Sequence, residues 1–279
     1  MEAILQDLGP EQRNITIEIF SDLHIGSTKC DYDEIQRRVD LVANDPNKYC
    51  IILGDLINNT TKTSVGDVYM EPISPMNQIK KAVTIFEPIK DKILAVTTGN
   101  HERRTYKQDG IDLGYFFCKE LGIEGCYDYA GVVLFVRFGR KVNRRDYRKN
   151  PKTGEYVKLN RAKGTNGGPI TYSLYITHGD GANGRTSGGK INALSKRGQL
   201  IDSDIIVMGH THLPATFRES SWHVDSNHKC VTQHEQVFVN ASATLEYEEY
   251  AEIYGMKPSS TQSPVIGLCG DRFDVQVRI

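Results

Sequence analysis

The chain has 279 residues, of which 39% are hydrophobic and 25% are charged, and its formal net charge is −1. This is an ordinary soluble composition that can bury a full core, and the length fits a single α/β domain. The six cysteines are scattered without a C-x-x-C pair, so we predict reduced thiols and exclude a zinc–thiolate centre. The first residues are polar and no apolar run reaches about 18 residues, so we expect a cytoplasmic protein that does not contact a membrane.

Apolar, β-branched runs and amphipathic stretches predict both strands and helices. The strands are expected at 15–20, 49–53, 93–98, 131–138, 170–177, 204–208, 236–240 and 272–279. The helices are expected at 32–44, 75–87, 109–121 and 191–200. Asp31 and Pro75 are typical of helix starts. After Gly131 the alternation of strand and helix gives way to consecutive strands, which predicts a mixed sheet, or two packed sheets with helices outside, in one domain.

Five of the predicted strands are followed directly by residues that bind metals. The blocks are DLH at 22–24, GD at 54–55, GNHE at 99–102, HG at 178–179 and GHTH at 209–212. Because ligands gather at the carboxyl ends of strands in α/β folds, we expect these side chains along one edge of a sheet. The seven potential ligands are Asp22, His24, Asp55, Asn100, His178, His210 and His212. They suffice for two divalent ions that share a carboxylate, with Mn²⁺ as the first expectation and iron, zinc or nickel as alternatives.

Spacing within the blocks indicates how the ligands are shared. Asp22 and His24 are two residues apart, so in an extended backbone their side chains point the same way and can reach one ion. His210 and His212 have the same spacing and either face one side or diverge to two adjacent ions. A carboxylate has two oxygens with separate lone pairs, so Asp55 is suited to bridge two cations. We expect a surface loop without a functional role for the other histidines, His223, His228 and His234.

One segment departs from the composition of the rest. Residues 137–163 contain eleven Lys or Arg and two acidic residues, so the segment carries +9 while the remainder of the chain sums to −10. Turn signals within it predict an insertion, at about 137–169, in a single domain that spans 1–279. Two interpretations stay open. The segment is either a solvated hairpin that balances an acidic body, or an arm that holds a polyanionic substrate such as a nucleic acid, with Tyr147 and Tyr156 as stacking surfaces.

The order and spacing of the blocks resemble the calcineurin-like metallophosphoesterase superfamily. Its signature runs D-x-H, G-D-x-x-[DN], G-N-H-[DE], H and G-H-x-H, and each element is present between residue 15 and about residue 245. The resemblance implies an α/β fold, a four-layer αββα sandwich of two mixed β-sheets flanked by helices. It implies that one ion is held by Asp22, His24, Asp55 and His212. It implies that a second ion is held by Asp55, Asn100, His178 and His210, with Asp55 bridging.

The same resemblance implies roles for residues beside the ligands. His101 would be the histidine that does not bind metal and that protonates the leaving alkoxide as a general acid, or stabilises its charge. Where phosphatases of the family carry an acid that orients this histidine, the chain has the uncharged Asn58, so His101 would be a weaker acid–base group or Glu102 would substitute. Arg103 and Arg104 follow directly. Together with Asn58 they are the candidates for substrate contacts, with ordinary surface charges as the alternative for the arginines.

The resemblance implies a dinuclear metal-dependent phosphoesterase, in which hydroxide shared by two ions attacks phosphorus in line. The runs GDLINNT and TTGNHE lack the motifs of protein Ser/Thr phosphatases, and Glu102 replaces the aspartate usual in DNA-processing nucleases of the family. The basic segment favours a phosphodiester, in a nucleic acid or nucleotide, as the substrate. A phosphomonoesterase acting on small molecules or phosphoproteins is the alternative, and a non-catalytic scaffold is a third.

An oligomer is compatible with the sequence. Tyr247, Tyr250 and Tyr254 would share one face of a predicted helix. This face would pack on the chain's own core or contact a second subunit.

Overall fold

The computed structural model describes residues 2–9, 11–61, 64, 71–142, 147–149, 156–158, 168–179, 186–226, 229–246, 258 and 260–279. Over these residues the chain folds into two large β-sheets packed face to face, with helices on both outer faces. No helix within these ranges is long and apolar enough to cross a membrane.

The first sheet is mixed. Its strands, in spatial order, are β1 (Glu2–Leu8), β6 (Val132–Val142), β9 (Gly168–Thr177), β10 (Ile205–Met208), β12 (Cys230–Asn240) and β11 (Ala215–Asp225). Pairing is parallel between β1 and β6 and on both sides of β10, and antiparallel in the other two pairs. Both sides of β10 are therefore flanked by strands that run in its own direction.

The second sheet is also mixed. Its strands, in spatial order, are β14 (Val275–Arg278), β13 (Val265–Cys269), β2 (Asn14–Phe20), β3 (Lys48–Ile52), β4 (Ile93–Thr97) and β5 (Tyr127–Asp128). The four strands from β2 to β5 are parallel, whereas β13 is antiparallel to both of its neighbours. The parallel run brings the ends of β2, β3 and β4 to the same side of the sheet.

The helices cover the outer faces of the sandwich. They are α1 (Tyr32–Asn44), α2 (Pro75–Phe86), α3 (Asn100–Asp109), α4 (Leu113–Leu121) and α5 (Ser187–Gly198), with short 3-10 segments at Glu87–Lys92 and Glu124–Cys126. α1, α2 and α4 pack with the outer face of the second sheet in one apolar cluster. Leu194 of α5 packs with Ile206 and Phe238 on the outer face of the first sheet.

A third apolar cluster lies between the two sheets. It joins Ile17 and Ile19 of β2 to residues of the first sheet such as Leu134, Val207 and Val239, all fully buried. Each such side chain contributes about 1.5–3 kcal/mol relative to exposure. Three apolar layers separate four layers of backbone, so the predicted αββα sandwich of two mixed sheets is confirmed.

Helix starts follow the predicted chemistry. The Asp31 side chain accepts a hydrogen bond from the backbone N–H of Glu34 at 2.9 Å and caps α1. Pro75 occupies the first turn of α2, where its missing N–H leaves no hydrogen bond broken. Both helices begin and end close to the predicted residues.

The helix predicted at 109–121 is wrong at its start. Gly110, with φ +72°, ends α3, and Asp112 caps α4, which begins at Leu113. α3 was not predicted because its sequence has no apolar stripe; Glu102 is its one buried residue.

Several strands were also missed or misplaced. The strand predicted at 272–279 is the shorter β14, and its antiparallel partner β13 was not predicted. β1 and β11 were not predicted either, because each lies at a sheet edge and alternates apolar with exposed polar residues too irregularly to stand out.

Two of the three histidines outside the ligand blocks lie in strands and not in a loop. His223 lies in β11 and His234 in β12, which pair antiparallel over their full length. His234 Nδ1 lies 2.8 Å from Asp202 Oδ1. The predicted surface loop is therefore wrong for these two residues, while His228 lies outside the described residues.

Part of the basic segment is a small hairpin. β7 (Tyr147–Lys149) pairs antiparallel with β8 (Tyr156–Lys158) as a separate two-stranded sheet. The hairpin lies between β6 and β9 in the chain, where the insertion was predicted. The remainder of the segment from 143 on, and the tyrosine stripe at 247–254, lie outside the described residues.

Candidate metal centre

The five ligand blocks meet at one end of the sandwich, but they come from two sheets. Blocks 22–24, 54–55 and 99–102 follow the adjacent parallel strands β2, β3 and β4 of the second sheet. Blocks 178–179 and 209–212 follow the adjacent parallel strands β9 and β10 of the first sheet. The expectation of a single sheet edge was wrong, because strand-end position does not reveal which strands pair.

Five of the seven predicted ligands have a left-handed backbone. The φ angles are +51° for Asp22, +46° for His24, +47° for Asp55, +67° for His210 and +53° for His212. Residues other than glycine rarely adopt this backbone conformation, and it persists only where the surrounding structure enforces it. Elsewhere in the described chain, two further non-glycine residues have positive φ, Asn59 and Lys229. Backbone strain is thus concentrated in the blocks, where it turns the side chains inwards.

Close approach of the backbone requires glycine in two of the blocks. Gly54 has φ +93°, and a Cβ atom there would lie 2.1 Å from the backbone nitrogen of Gly99. A Cβ atom on Gly99 would lie 2.0 Å from Asp55 Oδ1. Neither contact is sterically possible, so the loops after β3 and β4 touch through their backbones and hold Asp55 between them.

The Asp55 carboxylate is oriented so that one oxygen faces the histidines. Oδ1 accepts a hydrogen bond from the backbone N–H of His101 at 2.8 Å. Oδ2 lies 3.3 Å from His178 Nε2 and 4.0 Å from His24 Nε2. These two histidines were predicted to belong to different ions. One oxygen of Asp55 therefore lies between the two predicted ligand sets.

Asp22 is arranged in the same way. Its Oδ2 accepts hydrogen bonds from the Ser21 hydroxyl and from the backbone N–H of His210. Its Oδ1 lies 3.1 Å from His212 Nε2 and 4.0 Å from His178 Nε2. Each aspartate thus uses one oxygen to lock its orientation and presents the other to the imidazoles.

The side chains form three overlapping groups whose ligand atoms lie within 4.8 Å of one another. The groups are Asp22, Asp55, His178 and His210; Asp22, His24 and His212; and His24, Asp55 and His101. Asn100 joins the first group, since its Oδ1 lies 3.2 Å from His178 Nε2. All seven predicted ligands are therefore brought together.

The donor set fits divalent metal ions. His24 Nε2 is buried without a hydrogen-bond partner, although nearly all buried polar atoms in proteins have one. It faces Asp55 Oδ2 across 4.0 Å, a gap that a shared cation can span with bonds of about 2.0–2.2 Å to each atom. Imidazole nitrogens combined with carboxylate and amide oxygens suit first-row transition metals. The residues present therefore match such an ion.

The titratable groups perturb one another because they are buried together. Burial opposes ionisation of Asp22 and Asp55, but the neighbouring histidines outweigh it and hold the pKa of both carboxyl groups below its usual value. Burial likewise disfavours the charged form of His178, yet the same two carboxylates raise its pKa to about 9. Burial lowers the pKa of His24 to about 3 and also lowers the pKa of His210. Two ionised carboxylates held out of water favour a cation at this position.

His101 lies at the rim of the centre. Its Nε2 is 3.9 Å from Asp55 Oδ2, and its Nδ1 is 2.5 Å from the backbone carbonyl oxygen of Asn58. The Asn58 side chain donates instead to Thr60 and Glu71. The histidine is thus oriented by the backbone of Asn58 and not by its side chain.

Arg104 is the other neighbour of His101. Its guanidinium nitrogens lie 2.9 Å and 3.2 Å from Nε2 and Nδ1 of the imidazole. Burial lowers the pKa of His101, and the Arg104 charge lowers it further against the opposing effect of Asp55. Arg104 therefore lies beside His101, and its contact with substrate stays a prediction. Arg103 contacts Tyr129, because its Nη2 donates to the Tyr129 carbonyl oxygen at 3.1 Å.

Glu102 is buried and binds backbone N–H groups, so it does not act as a substitute acid beside His101. We call this set of contacts the Glu102 clamp. Its two oxygens accept hydrogen bonds from the backbone N–H groups of Asp55 at 3.0 Å, Ile57 at 3.1 Å and Gly99 at 2.7 Å. Burial and the nearby Asp55 charge raise the pKa of Glu102 to about 7, although these donors oppose the shift. The carboxylate joins the loop after β3 to the start of α3.

Replacing Glu102 with glutamine should destabilise the protein by about 3 kcal/mol, because the amide group would present a donor to buried backbone donors. We expect the melting temperature to fall by about 6–10 °C, measured by circular dichroism. The exposed Glu120 of α4 supplies the matched control, since Glu120→Gln removes the same charge without a buried partner. An unchanged melting temperature in Glu102→Gln would show that the clamp is dispensable.

Three supporting residues were missed by the sequence analysis. Besides Ser21, they include Asn59, which is buried and donates to the His101 carbonyl oxygen at 2.6 Å. Lys190 of α5 donates to the Thr211 carbonyl oxygen at 2.7 Å, between His210 and His212. Ser21 and Asn59 adjoin the blocks in sequence and could have been suspected. Lys190 is remote from them, and no local pattern marks it.

A sandwich of two mixed sheets that collects aspartate, asparagine and histidine at its strand ends defines the metallophosphoesterase class of protein. A family model described as calcineurin-like phosphoesterase matches residues 15–232. The chain belongs to this calcineurin-like phosphoesterase family, as its motifs indicated. No curated protein matches the chain.

Several solved structures are similar to the chain. A predicted phosphoesterase from Streptococcus pneumoniae is 12% identical with a TM-score of 0.39, covering 95% of this chain and 88% of that one. Vacuolar Protein Sorting 29 from Cryptosporidium parvum is 14% identical with a TM-score of 0.39, covering 95% and 97%. A metallophosphoesterase from Sphaerobacter thermophilus is 11% identical with a TM-score of 0.34, covering 92% and 84%.

Proposed function

We propose that the chain is an enzyme, a dinuclear metal-dependent phosphoesterase that hydrolyses phosphodiesters. The observation that carries the proposal is the position of Asp55 Oδ2, which lies 3.3 Å from His178, 4.0 Å from His24 and 3.9 Å from His101. One carboxylate oxygen thus adjoins a ligand of each proposed ion and the proposed acid. This arrangement supports hydrolysis of a phosphate ester by two metal ions.

The two ions would be held as the family resemblance implies. Asp22, His24, Asp55 and His212 would hold the first. Asp55, Asn100, His178 and His210 would hold the second. Bound as a pair, divalent ions acidify water and neutralise the charge of phosphate oxygens. Manganese is proposed as the native metal, because the mixed nitrogen and oxygen ligands suit it.

His101 is proposed to donate a proton to the leaving oxygen. The Asn58 carbonyl oxygen fixes Nδ1 as the protonated nitrogen of the neutral ring and directs Nε2 towards Asp55. The negative charge of a bound phosphate favours the doubly protonated ring, from which Nε2 can release its proton. Arg104, beside the same ring, is proposed to contact a phosphate oxygen.

The substrate class is tested by turnover of two chromogenic esters in the presence of Mn²⁺. We expect bis-p-nitrophenyl phosphate, a diester, to be hydrolysed with a higher kcat/KM than p-nitrophenyl phosphate, a monoester. Chelation with EDTA should remove the activity, and Mn²⁺ should restore it better than Zn²⁺, Ni²⁺ or Fe²⁺. A higher kcat/KM for the monoester would establish the phosphomonoesterase alternative. Absence of turnover with every metal would refute the proposal that the chain is an enzyme.

We further propose that the basic segment 137–163 binds the backbone of a nucleic-acid substrate. Its eleven basic residues against two acidic ones support this, in a chain that is otherwise acidic. Affinity for single-stranded DNA should fall with salt, by about 0.7 in log–log slope for each phosphate contact. Replacing Arg148 and Lys149 by glutamine should reduce that slope. Binding that is equally strong in the double variant would contradict the proposal.

A further inference from the structure

A pair of tyrosines lies at the surface beside the metal centre. Tyr106 is in α3, one turn beyond Arg103, and it is 46% exposed. Tyr129 is half-buried and lies in the short loop between β5 and β6. The two ring centroids are 4.8 Å apart with an interplanar angle of 47°, and the Arg103 guanidinium carbon lies 5.2 Å from the centroid of Tyr129. Two aromatic rings and a guanidinium therefore share one patch of surface.

The loop that carries Tyr129 is anchored to the strand ends that hold metal ligands. The Tyr129 carbonyl oxygen accepts a hydrogen bond from the Thr98 hydroxyl at 2.7 Å, two residues before Asn100. The Ala130 carbonyl oxygen accepts one from the Thr177 hydroxyl at 3.3 Å, directly before His178. The loop that carries Tyr129 is thus bonded to the ends of β4 and β9, from which Asn100 and His178 would hold the proposed second ion.

The patch is rigid. Arg103 Nη2 donates to the Tyr129 carbonyl oxygen at 3.1 Å. The same guanidinium lies over one face of the Tyr129 ring. Asp128 Oδ1 accepts hydrogen bonds from the N–H groups of Ala130 at 2.8 Å and Gly131 at 3.1 Å. Tyrosine has few rotatable bonds and loses little entropy on binding. Such a surface is suited to a flat aromatic ligand.

We propose that Tyr106, Tyr129 and Arg103 form a stacking subsite for a nucleobase of the phosphodiester substrate. The inference rests on the proposed phosphodiesterase function and names the substrate class as nucleotide diesters. Every base has a π face that stacks on tyrosine and on a guanidinium, so the subsite accepts different bases. Loss of one base–aromatic stack corresponds to about a 5- to 150-fold loss of affinity. The scissile phosphate would lie at the metal centre while an adjacent base rests on the patch.

The test compares two diesters with the same leaving group, thymidine 5′-(p-nitrophenyl phosphate) and methyl p-nitrophenyl phosphate, with Mn²⁺ present. We expect the wild-type protein to prefer the thymidine ester in kcat/KM. The variants Tyr106→Leu and Tyr129→Leu should reduce that preference about tenfold, whereas Tyr106→Phe should retain it, because stacking needs the ring and not the hydroxyl. Tyr115→Leu is the matched control, since Tyr115 of α4 is also 46% exposed but lies outside the patch.

Equal kcat/KM for the two esters in the wild type, or an unchanged preference in both leucine variants, would overturn the subsite and leave the phosphoesterase intact. If neither ester is hydrolysed, the proposed function fails. The subsite is then tested by the binding of an oligodeoxynucleotide. A single-stranded oligodeoxynucleotide containing 2-aminopurine loses fluorescence when its base stacks on an aromatic ring. Quenching that disappears in Tyr106→Leu but persists in Tyr115→Leu would support the subsite. Absence of quenching by the wild-type protein would refute it.

Discussion

Replacement of Asp55 by asparagine is expected to lower the occupancy of both metal positions together and to abolish turnover. Asparagine has the same shape, so the hydrogen bond from the His101 backbone to Oδ1 can remain. The negative charge is lost from Oδ2, which lies between His178 and His24, and a neutral amide cannot bridge two cations. The loss of metal affinity should exceed the reduction of about 10–100-fold that follows removal of an outer-shell partner.

Metal content of the purified variant after reconstitution, measured by elemental analysis, checks the expectation. Asp202→Asn is the control, because Asp202 is exposed and pairs with His234 outside the centre. A variant that keeps one ion at full occupancy would argue against a bridging carboxylate. The second group identified in the structure, Asp22 with His24 and His212, would then hold its ion without Asp55.

Replacement of His101 by alanine is expected to lower kcat by about 10²–10⁴-fold on a dinucleotide, whose leaving group is an alkoxide, while metal content stays near that of the wild type. The structure makes this a demanding test, because His24, Asp55 and His101 themselves form a group with ligand atoms within 4.8 Å. His101 Nε2 is 3.9 Å from Asp55 Oδ2, whereas the proposed ligand His178 is 3.3 Å from the same atom. If His101 is a proton donor, its removal should leave the metal content unchanged. If it is a metal ligand, its removal should lower the metal content.

Kinetics and elemental analysis of the same preparation distinguish these roles. Loss of kcat with both ions retained supports a proton donor, whereas loss of an ion identifies His101 as a ligand. His223→Ala, in the exposed part of β11, is the matched control and should change neither quantity. The loss of kcat in His101→Ala should be large for a diester whose leaving group is an alkoxide and small for methyl p-nitrophenyl phosphate and thymidine 5′-(p-nitrophenyl phosphate), because p-nitrophenolate leaves without needing a proton.

The candidate metal ligands could be predicted because they occur in short sequence motifs, each within a few consecutive residues. Each block follows a buried strand, and residues such as Asp22 and His24 are already close together in the chain. All seven predicted ligands converge in the structure. The roles of the side chains around them were less accessible. Asn58 stands where phosphatases of the family carry the acid that orients the histidine, but it contacts His101 through its backbone carbonyl oxygen.

The fold was predictable where amphipathic periodicity is strong. Buried parallel strands such as β3 and β4 and the apolar stripes of α1 and α2 were recognised within a few residues. α3 was not, because its buried side is a single carboxylate, Glu102, and polar periodicity carries no signal of burial. Edge strands such as β1 and β11 were missed for a related reason, since one side of each faces solvent.

The sequence by itself determined the family. It also predicted the set of ligands and the candidate acid, because ligand identity and strand-end position are local properties. Tertiary structure decided that the ligands come from two sheets, which oxygen of each aspartate faces the histidines, and that Glu102 clamps the backbone. It also decided that Tyr129 lies beside Arg103 and the strand ends. These facts depend on contacts between residues as far apart as Leu53 and His178, whose carbonyl oxygen and Nδ1 are 2.9 Å apart. Such contacts follow from strand pairing and sheet packing, which are set by the buried surface of the whole domain and by no single segment.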